Sequence, residues 1–80
     1  MRTYWSNSKG YMNYHIDLKM SPGKVTVYED SGHWRSEVGG SVTHAEFLSG
    51  KYHDLILERF DPEVLQQVIH AVKGLVEQDK

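Results

Sequence analysis

The chain has no cysteine among its 80 residues. This absence excludes a disulfide framework and a Cys-based zinc or iron–sulfur site, which are the usual supports of small secreted domains. A chain of this length buries only about 60% of the surface that it exposes when unfolded, so a single core must supply its stability. We therefore expect one domain over residues 1–80, in the reducing environment of the cytoplasm.

Long apolar runs are missing as well. The longest is the three-residue run from Leu55 to Leu57, whereas a membrane-spanning helix needs about 20 predominantly apolar residues. The N-terminal segment MRTYWSNSKG also lacks the continuous apolar stretch of a signal peptide. The sequence therefore predicts no membrane partner.

Neither sign of charge is in strong excess, because nine Lys and Arg residues stand against 11 Asp and Glu residues. A protein that binds nucleic acid mainly by neutralising phosphates needs a surplus of Lys and Arg, whereas the formal net charge here is −2. Hydrophobic residues make up 39% of the chain, which is enough for one core in a soluble domain. The composition is typical of a small globular protein and argues against phosphate-driven binding.

The segment YMNYHIDLKM (11–20) alternates between apolar and polar residues, which predicts a β-strand with one buried face. Turn-forming residues follow it, and a second strand is predicted over 24–29. A four-residue connection would pair Met20 with Val25 on the buried face. The residues of the first strand that we expect to face the core are Met12, Tyr14, Ile16, Leu18 and Met20.

A third antiparallel strand is predicted over 34–38, after the turn signal DSGH. In this strand Trp34, Ser36 and Val38 would face inward. The pair Gly39-Gly40 then breaks the alternation, so we expect the sheet to end there.

The second half of the chain has helical periodicity. Thr43 and Glu46 have the spacing of a capping box, which predicts a helix over 44–59. Gly50 can break this helix, so the sequence leaves open whether the segment forms one helix or two. Asp61 before Pro62 starts a further helix over 62–77. Strands followed by helices indicate an α+β fold, in which two C-terminal helices pack on one face of a three-stranded antiparallel meander.

The outer face of the predicted sheet is the first candidate for function. It collects His15 and Asp17 from the first strand, Tyr28 from the second and Arg35 from the third. Antiparallel sheets commonly leave such a face to water, but Tyr and Arg are also the residue types that concentrate binding energy at protein interfaces. We hypothesise that this face, centred on Tyr28 and Arg35, binds another protein.

Leu57 is a second candidate. On a continuous helix it would project away from the apolar stripe and become an exposed leucine. Single exposed leucines are common in soluble proteins, but the last helix also has a broad apolar stripe. An alternative hypothesis is therefore that the helices contact another protein, or a second copy in a homodimer.

An enzyme is the weaker hypothesis. His15 or Asp17 could act as a base near Tyr28 and Arg35, but a flat exposed face lacks the enclosure that catalytic acids and bases need. The sequence contains no phosphate-binding loop and no nucleophile elbow. We therefore expect a non-enzymatic protein without a cofactor.

The N-terminal segment offers an alternative of another class. Tyr4, Trp5, Lys9 and Tyr11 interleave aromatic and basic residues, which is the chemistry of base stacking on single-stranded nucleic acid. The same segment could instead close the core through Trp5, and the composition favours this interpretation.

The chain has five histidines, which raises the question of a metal site. None of them stands two or four residues from another, so no two imidazoles share one side of a strand or helix by spacing. We therefore predict no metal site. The five are His15, His33, His44, His53 and His70.

Overall fold

The computed structural model describes residues 1–78. Four strands form one antiparallel sheet in the order β1-β2-β3-β4, and helices follow them in the chain. The elements are β1 (Tyr4–Lys9), β2 (Met12–Asp17), β3 (Lys24–Asp30), β4 (Arg35–Thr43), α1 (His44–Leu48), α2 (His53–Leu57) and α3 (Pro62–Gln78). The predicted α+β meander is therefore confirmed, with one strand more than expected.

The additional strand is β1, which pairs with β2 along its whole length. Its sequence YWSNSK contains a single large apolar residue on the inner face, Trp5, which is 1% exposed. The next two inner positions are polar. The Asn7 amide donates to the Arg59 carbonyl (2.7 Å), and Lys9 Nζ donates to the Glu58 carbonyl (3.0 Å). These carbonyls follow the short helix α2, so the inner end of β1 is satisfied by hydrogen bonds rather than by apolar packing.

The β2–β3 hairpin forms with a longer connection than expected, over residues 18–23. Ile16 lies opposite Val27, so the pairing of Met20 with Val25 was wrong by a shift of two residues. Asp17 ends the strand because its Oδ1 accepts hydrogen bonds from the backbone N–H groups of residues 19 and 20 (2.8 and 3.0 Å). Met20 therefore lies outside the strand and is 40% exposed, while the even shift preserves the face of every paired residue.

Strand β4 continues through Gly39 and Gly40, where the sequence predicted its end. Thr26 lies opposite Ser41 and Tyr28 lies opposite Glu37, so β4 contains two extra residues between these pairs. The extra residues form a bulge, in which both glycines have positive φ (73° and 75°).

The start of the third predicted strand was also placed wrongly. Trp34 precedes β4 and is 49% exposed, and Ser36 is exposed as well. Val38 packs against the core, as expected.

The segment 44–60 forms two short helices, which answers the question that the sequence left open. The predicted capping box is confirmed, since Thr43 Oγ1 accepts from the Glu46 N–H and Glu46 Oε1 accepts from the Thr43 N–H (3.1 and 3.0 Å). Between the helices Gly50 has φ 120° and Tyr52 has φ 75°, values that no helix permits. Helix α3 begins at Pro62, as predicted.

The core lies between the inner face of the sheet and the helices. Fully buried residues come from both layers, so each layer covers the other. Within residues 1–78, none of the helices has the length and apolar character needed to cross a membrane. The core residues are Trp5, Ile16, Leu18, Val25, Val27, Val42, Phe47, Ile56, Phe60, Leu65, Val68, Ala71 and Val72.

Candidate functional site

The outer face of the sheet, on the side away from the helices, gathers polar and aromatic side chains from all four strands. Register brings them together, because His15 lies opposite Tyr28 and Asp30 lies opposite Arg35. Tyr28 is only 5% exposed although it projects from this uncovered face. Side chains of the face itself must therefore bury it.

Tyr28 lies between two flat groups. The imidazole of His15 stacks on its ring with a centroid distance of 4.5 Å and an interplanar angle of 11°. The guanidinium carbon of Arg35 lies 4.6 Å from the same ring centroid, within the range of a cation–π interaction. Burial raises the pKa of Tyr28, and the neighbouring Tyr4 phenol adds to this shift. The Tyr28 hydroxyl is therefore neutral across the physiological pH range.

A chain of hydrogen bonds crosses the same face. The Tyr4 hydroxyl is hydrogen-bonded to His15 Nδ1, and His15 Nε2 lies 2.6 Å from Asp30 Oδ2. The Asn13 amide donates to the other oxygen of Asp30 (3.0 Å). This amide, followed by His15, holds the pKa of Asp30 below its usual value. Tyr4, His15 and Asp30, here called the Tyr–His–Asp chain, are thus joined in one line.

The predicted binding residues divide into two groups. His15, Tyr28 and Arg35 are brought together on the outer face. Asp17 belongs to the same face by register, but its Oδ1 is engaged by the backbone of the β2–β3 connection. Leu57 is 43% exposed, although the continuous helix on which its expected exposure depended does not form, and it lies on α2 and does not join the outer face.

The residues of the nucleic-acid hypothesis do not form one platform. Trp5 is in the core, where its Nε1 donates to Gln67 Oε1 (2.9 Å), so it is not accessible to a base. Lys9 reaches the Glu58 carbonyl on the inner side of β1. Tyr11 is 95% exposed in the β1–β2 turn, and Tyr4 belongs to the Tyr–His–Asp chain. Stacking on successive bases requires aromatic rings in one groove, and these residues point to different parts of the molecule.

Two of the five histidines, His15 and His53, make local side-chain contacts. His53 Nε2 is hydrogen-bonded to the Phe47 carbonyl (2.8 Å), and its ring packs on the Phe47 ring. Among residues 1–78, no group of three or more His, Cys, Asp or Glu side chains is placed to hold a metal ion.

Sequence reasoning missed two features of the site. The Tyr–His–Asp chain needs β1, whose polar sequence gave no alternation of apolar residues. Asp30 itself was within reach of the sequence, because it follows Tyr28 by two residues and the strand period places both on one face. Trp34 was assigned to the core, whereas it lines a groove of about 410 Å³ together with Asp30, Gly32, His33 and Arg35.

Comparison with protein-family models, with curated proteins and with solved structures finds no match for this chain.

Proposed function

We propose that this chain is a small cytoplasmic, non-enzymatic module that binds another protein through the outer face of its sheet, around Arg35 and Trp34. The observation that carries the proposal is the position of the Arg35 guanidinium carbon, 4.6 Å from the centroid of the Tyr28 ring. A cysteine-free composition suits the proposed location.

The position of Arg35 suggests the chemistry of the partner. The guanidinium carbon lies over the Tyr28 ring, and the N–H groups of a guanidinium match a carboxylate in two parallel hydrogen bonds. No ion pair joins Arg35 to a carboxylate of residues 1–78. We therefore infer that the partner presents an Asp or Glu side chain, or a C-terminal carboxylate, to Arg35.

Trp34 supplies the apolar part of the contact. It is 49% exposed and stands next to Arg35 along the groove at the β3–β4 turn. Trp, Tyr and Arg are the residues most often found at the energetic centre of protein interfaces. Because Arg35 already lies over the Tyr28 ring, ordering its side chain on binding would cost less entropy than ordering a free arginine.

The proposal is tested by selecting a random peptide library on the protein. We expect the selected peptides to carry an acidic residue or to depend on a free C-terminal carboxylate. Arg35→Gln should weaken their binding at least about tenfold, since it removes a charge-assisted hydrogen bond, and Arg35→Lys should recover only part of it. Lys73→Gln on the exposed side of α3 is the charge-matched control and should bind normally.

Chemical-shift changes in the isotope-labelled protein locate the site directly. The proposal predicts shifts at Tyr28, Trp34 and Arg35. Peptides that bind wild-type and Arg35→Gln protein equally, or shifts that cluster at Leu57 or along α3, would contradict it. So would a concentration-dependent homodimer whose formation shifts the outer face, because a second copy would then be the occupant.

A further inference from the structure

We propose that the Tyr–His–Asp chain makes the Tyr4 hydroxyl a nucleophile, and that Tyr4 is a site of covalent modification by electrophilic acyl or sulfonyl donors. This inference is independent of the protein-binding proposal, because it rests on Tyr4, His15 and Asp30 rather than on Arg35 and Trp34. It concerns one covalent transfer to the chain and not catalytic turnover.

The order of the three groups fixes the positions of the protons. Asp30 is an ionised carboxylate and accepts hydrogen bonds only, so the proton of the 2.6 Å contact is on His15 Nε2. In neutral His15 the other ring nitrogen, Nδ1, is then an acceptor, and the Tyr4 hydroxyl donates to it. A nucleophile, a base and a carboxylate that orients the base thus stand in the sequence required for general-base activation.

The base is held in position from several sides. Its ring is stacked on Tyr28, and Asp30 is in turn held by the Asn13 amide (3.0 Å). Ser8 Oγ donates to Asn13 Oδ1 (2.7 Å) and fixes the orientation of that amide. Fixed orientation of a base toward its nucleophile is a main part of such activation.

The three residues of the Tyr–His–Asp chain differ in solvent exposure in the way that modification of Tyr4 requires. The His15 and Asp30 side chains retain 14% and 21% of their accessible surface, whereas Tyr4 is 43% exposed. The base is therefore sheltered while the nucleophile is open to reagents. Tyr11 is 95% exposed, and its hydroxyl makes no hydrogen bond within residues 1–78, so it serves as an internal reference.

The transfer balances without an oxidant or reductant. The Tyr4 oxygen attacks the carbonyl carbon or the sulfur of the donor, and the hydroxyl proton passes to His15 Nδ1. The bond from that carbon or sulfur to the leaving group breaks, with its electron pair going to the leaving group. The imidazolium, paired with Asp30, then gives its proton to the leaving group. The products are a tyrosyl ester and the protonated leaving group, and His15 is neutral again.

The experiment compares two tyrosines within one protein. The folded chain is treated with toluenesulfonyl fluoride, a neutral probe, and the occupancy of each tyrosine is followed by peptide mass spectrometry. General-base assistance contributes about a hundredfold or more in favourable sites, so we expect Tyr4 to react at least about tenfold faster than Tyr11. A Tyr4 that reacts no faster than Tyr11, or a label on His15 instead, would overturn the proposal.

Variants separate activation from exposure. His15→Phe keeps a ring to stack on Tyr28 and removes the base, so the rate at Tyr4 should fall to that of Tyr11 or below. Asp30→Asn should lower it as well, and it provides a second test if His15→Phe fails to fold. His70→Phe, at an exposed histidine of α3 away from the outer face, should leave the ratio of the Tyr4 and Tyr11 rates unchanged. If His15→Phe and Asp30→Asn both fold and both leave the ratio of the Tyr4 and Tyr11 rates unchanged, the proposed role of the Tyr–His–Asp chain is refuted.

Discussion

The two tryptophans of the chain occupy opposite environments. Trp5 is 1% exposed and hydrogen-bonded to Gln67, whereas Trp34 is 49% exposed beside the β3–β4 groove. Trp34→Phe should therefore leave a protein whose remaining emission is shifted to the blue and resists quenching by iodide. Comparison of quenching curves for the variant and the wild type measures this. Strong quenching of the variant would mean that Trp5 is not in the core.

The two adjacent glycines of the β4 bulge distinguish the free-energy cost of a positive φ from the cost of a steric clash. A β-carbon at Gly39 would lie 3.3 Å from Tyr52 Cε1 and 3.5 Å from Leu55 Cδ1, whereas one at Gly40 would meet no atom within 4 Å. Both residues have positive φ, so Gly40→Ala should cost about 1–2 kcal/mol of unfolding free energy from backbone conformation alone. Gly39→Ala should cost more, because Tyr52 must also move. Urea denaturation of both variants checks the order, and equal losses would contradict the packing of Tyr52 on Gly39.

Single residues show where sequence reasoning succeeded and failed. The shortage of apolar area in a short chain favoured a core position for Trp5, and this was confirmed. Trp34 was misplaced by a different argument, the alternation of the third strand, because alternation gives the face of a residue only after the first residue of the strand is known. Met20 failed for a related reason, since the Asp17 side chain ends β2 early through hydrogen bonds that strand propensity does not contain.

At the scale of elements, α1 is a five-residue helix, too short to be stable alone. Its capping box compensates in part. The backbone N–H of Thr43, followed by the Lys51 ammonium, lowers the pKa of Glu46 from 4.5 to about 2. Because the folded-state pKa is the lower one, the stabilisation is present above pH 4.5 and is lost as the pH falls toward 2.

This titration predicts a pH-dependent effect of Glu46→Gln. The variant should melt at a lower temperature than the wild type at pH 6, and the difference should shrink steadily below pH 4.5. Glu77→Gln, at an exposed position of α3, controls for the loss of one negative charge. Thermal unfolding followed by circular dichroism across this range measures both. A constant difference between pH 6 and pH 3 would exclude the capping box as its source.

The elements also differ in how far their sequences define them. Capping residues and periodicity located α1 and α3, because these signals are local. Strand β1 was missed because two of its three inner positions, Asn7 and Lys9, are polar. Their hydrogen bonds are satisfied only in the folded structure, where the carbonyls that follow α2 accept from them. The bulge of β4 was missed because a Gly-Gly pair is also a signal for a turn or loop, and the sequence analysis took it as the end of the strand.

For the molecule as a whole, stability should be highest at the centre of the sheet. Strands β2 and β3 are paired on both sides and contribute fully buried residues such as Ile16 and Val27. We expect their amides to exchange with solvent most slowly, and those of α1 and α2 to exchange faster. Hydrogen exchange followed by nuclear magnetic resonance checks this order. Slowest exchange in α1 or α2 would contradict it.

The outer face could be anticipated only in part at this scale. Its central members His15, Tyr28 and Arg35 follow from the alternation of the predicted strands, and a register error of two residues left them on the correct face. The partnership of His15 with Tyr4 and Asp30 depends on distances across three strands. No spacing within a single strand encodes such a contact.

The bulge of β4 has a consequence for assembly. Sheets grow when a straight, unpaired edge accepts a strand from another molecule, and a bulge prevents this. The order of the strands leaves two edges, of which β4 is interrupted at residues 38–40 and β1 is regular along its six residues. If two copies pair through their β1 edges, the combined sheet has a β4 strand at each outer edge. Both of these edges are interrupted by the bulge, so no third copy can add to the sheet. The sheet of residues 1–78 thereby has no second straight edge through which open-ended fibres could grow.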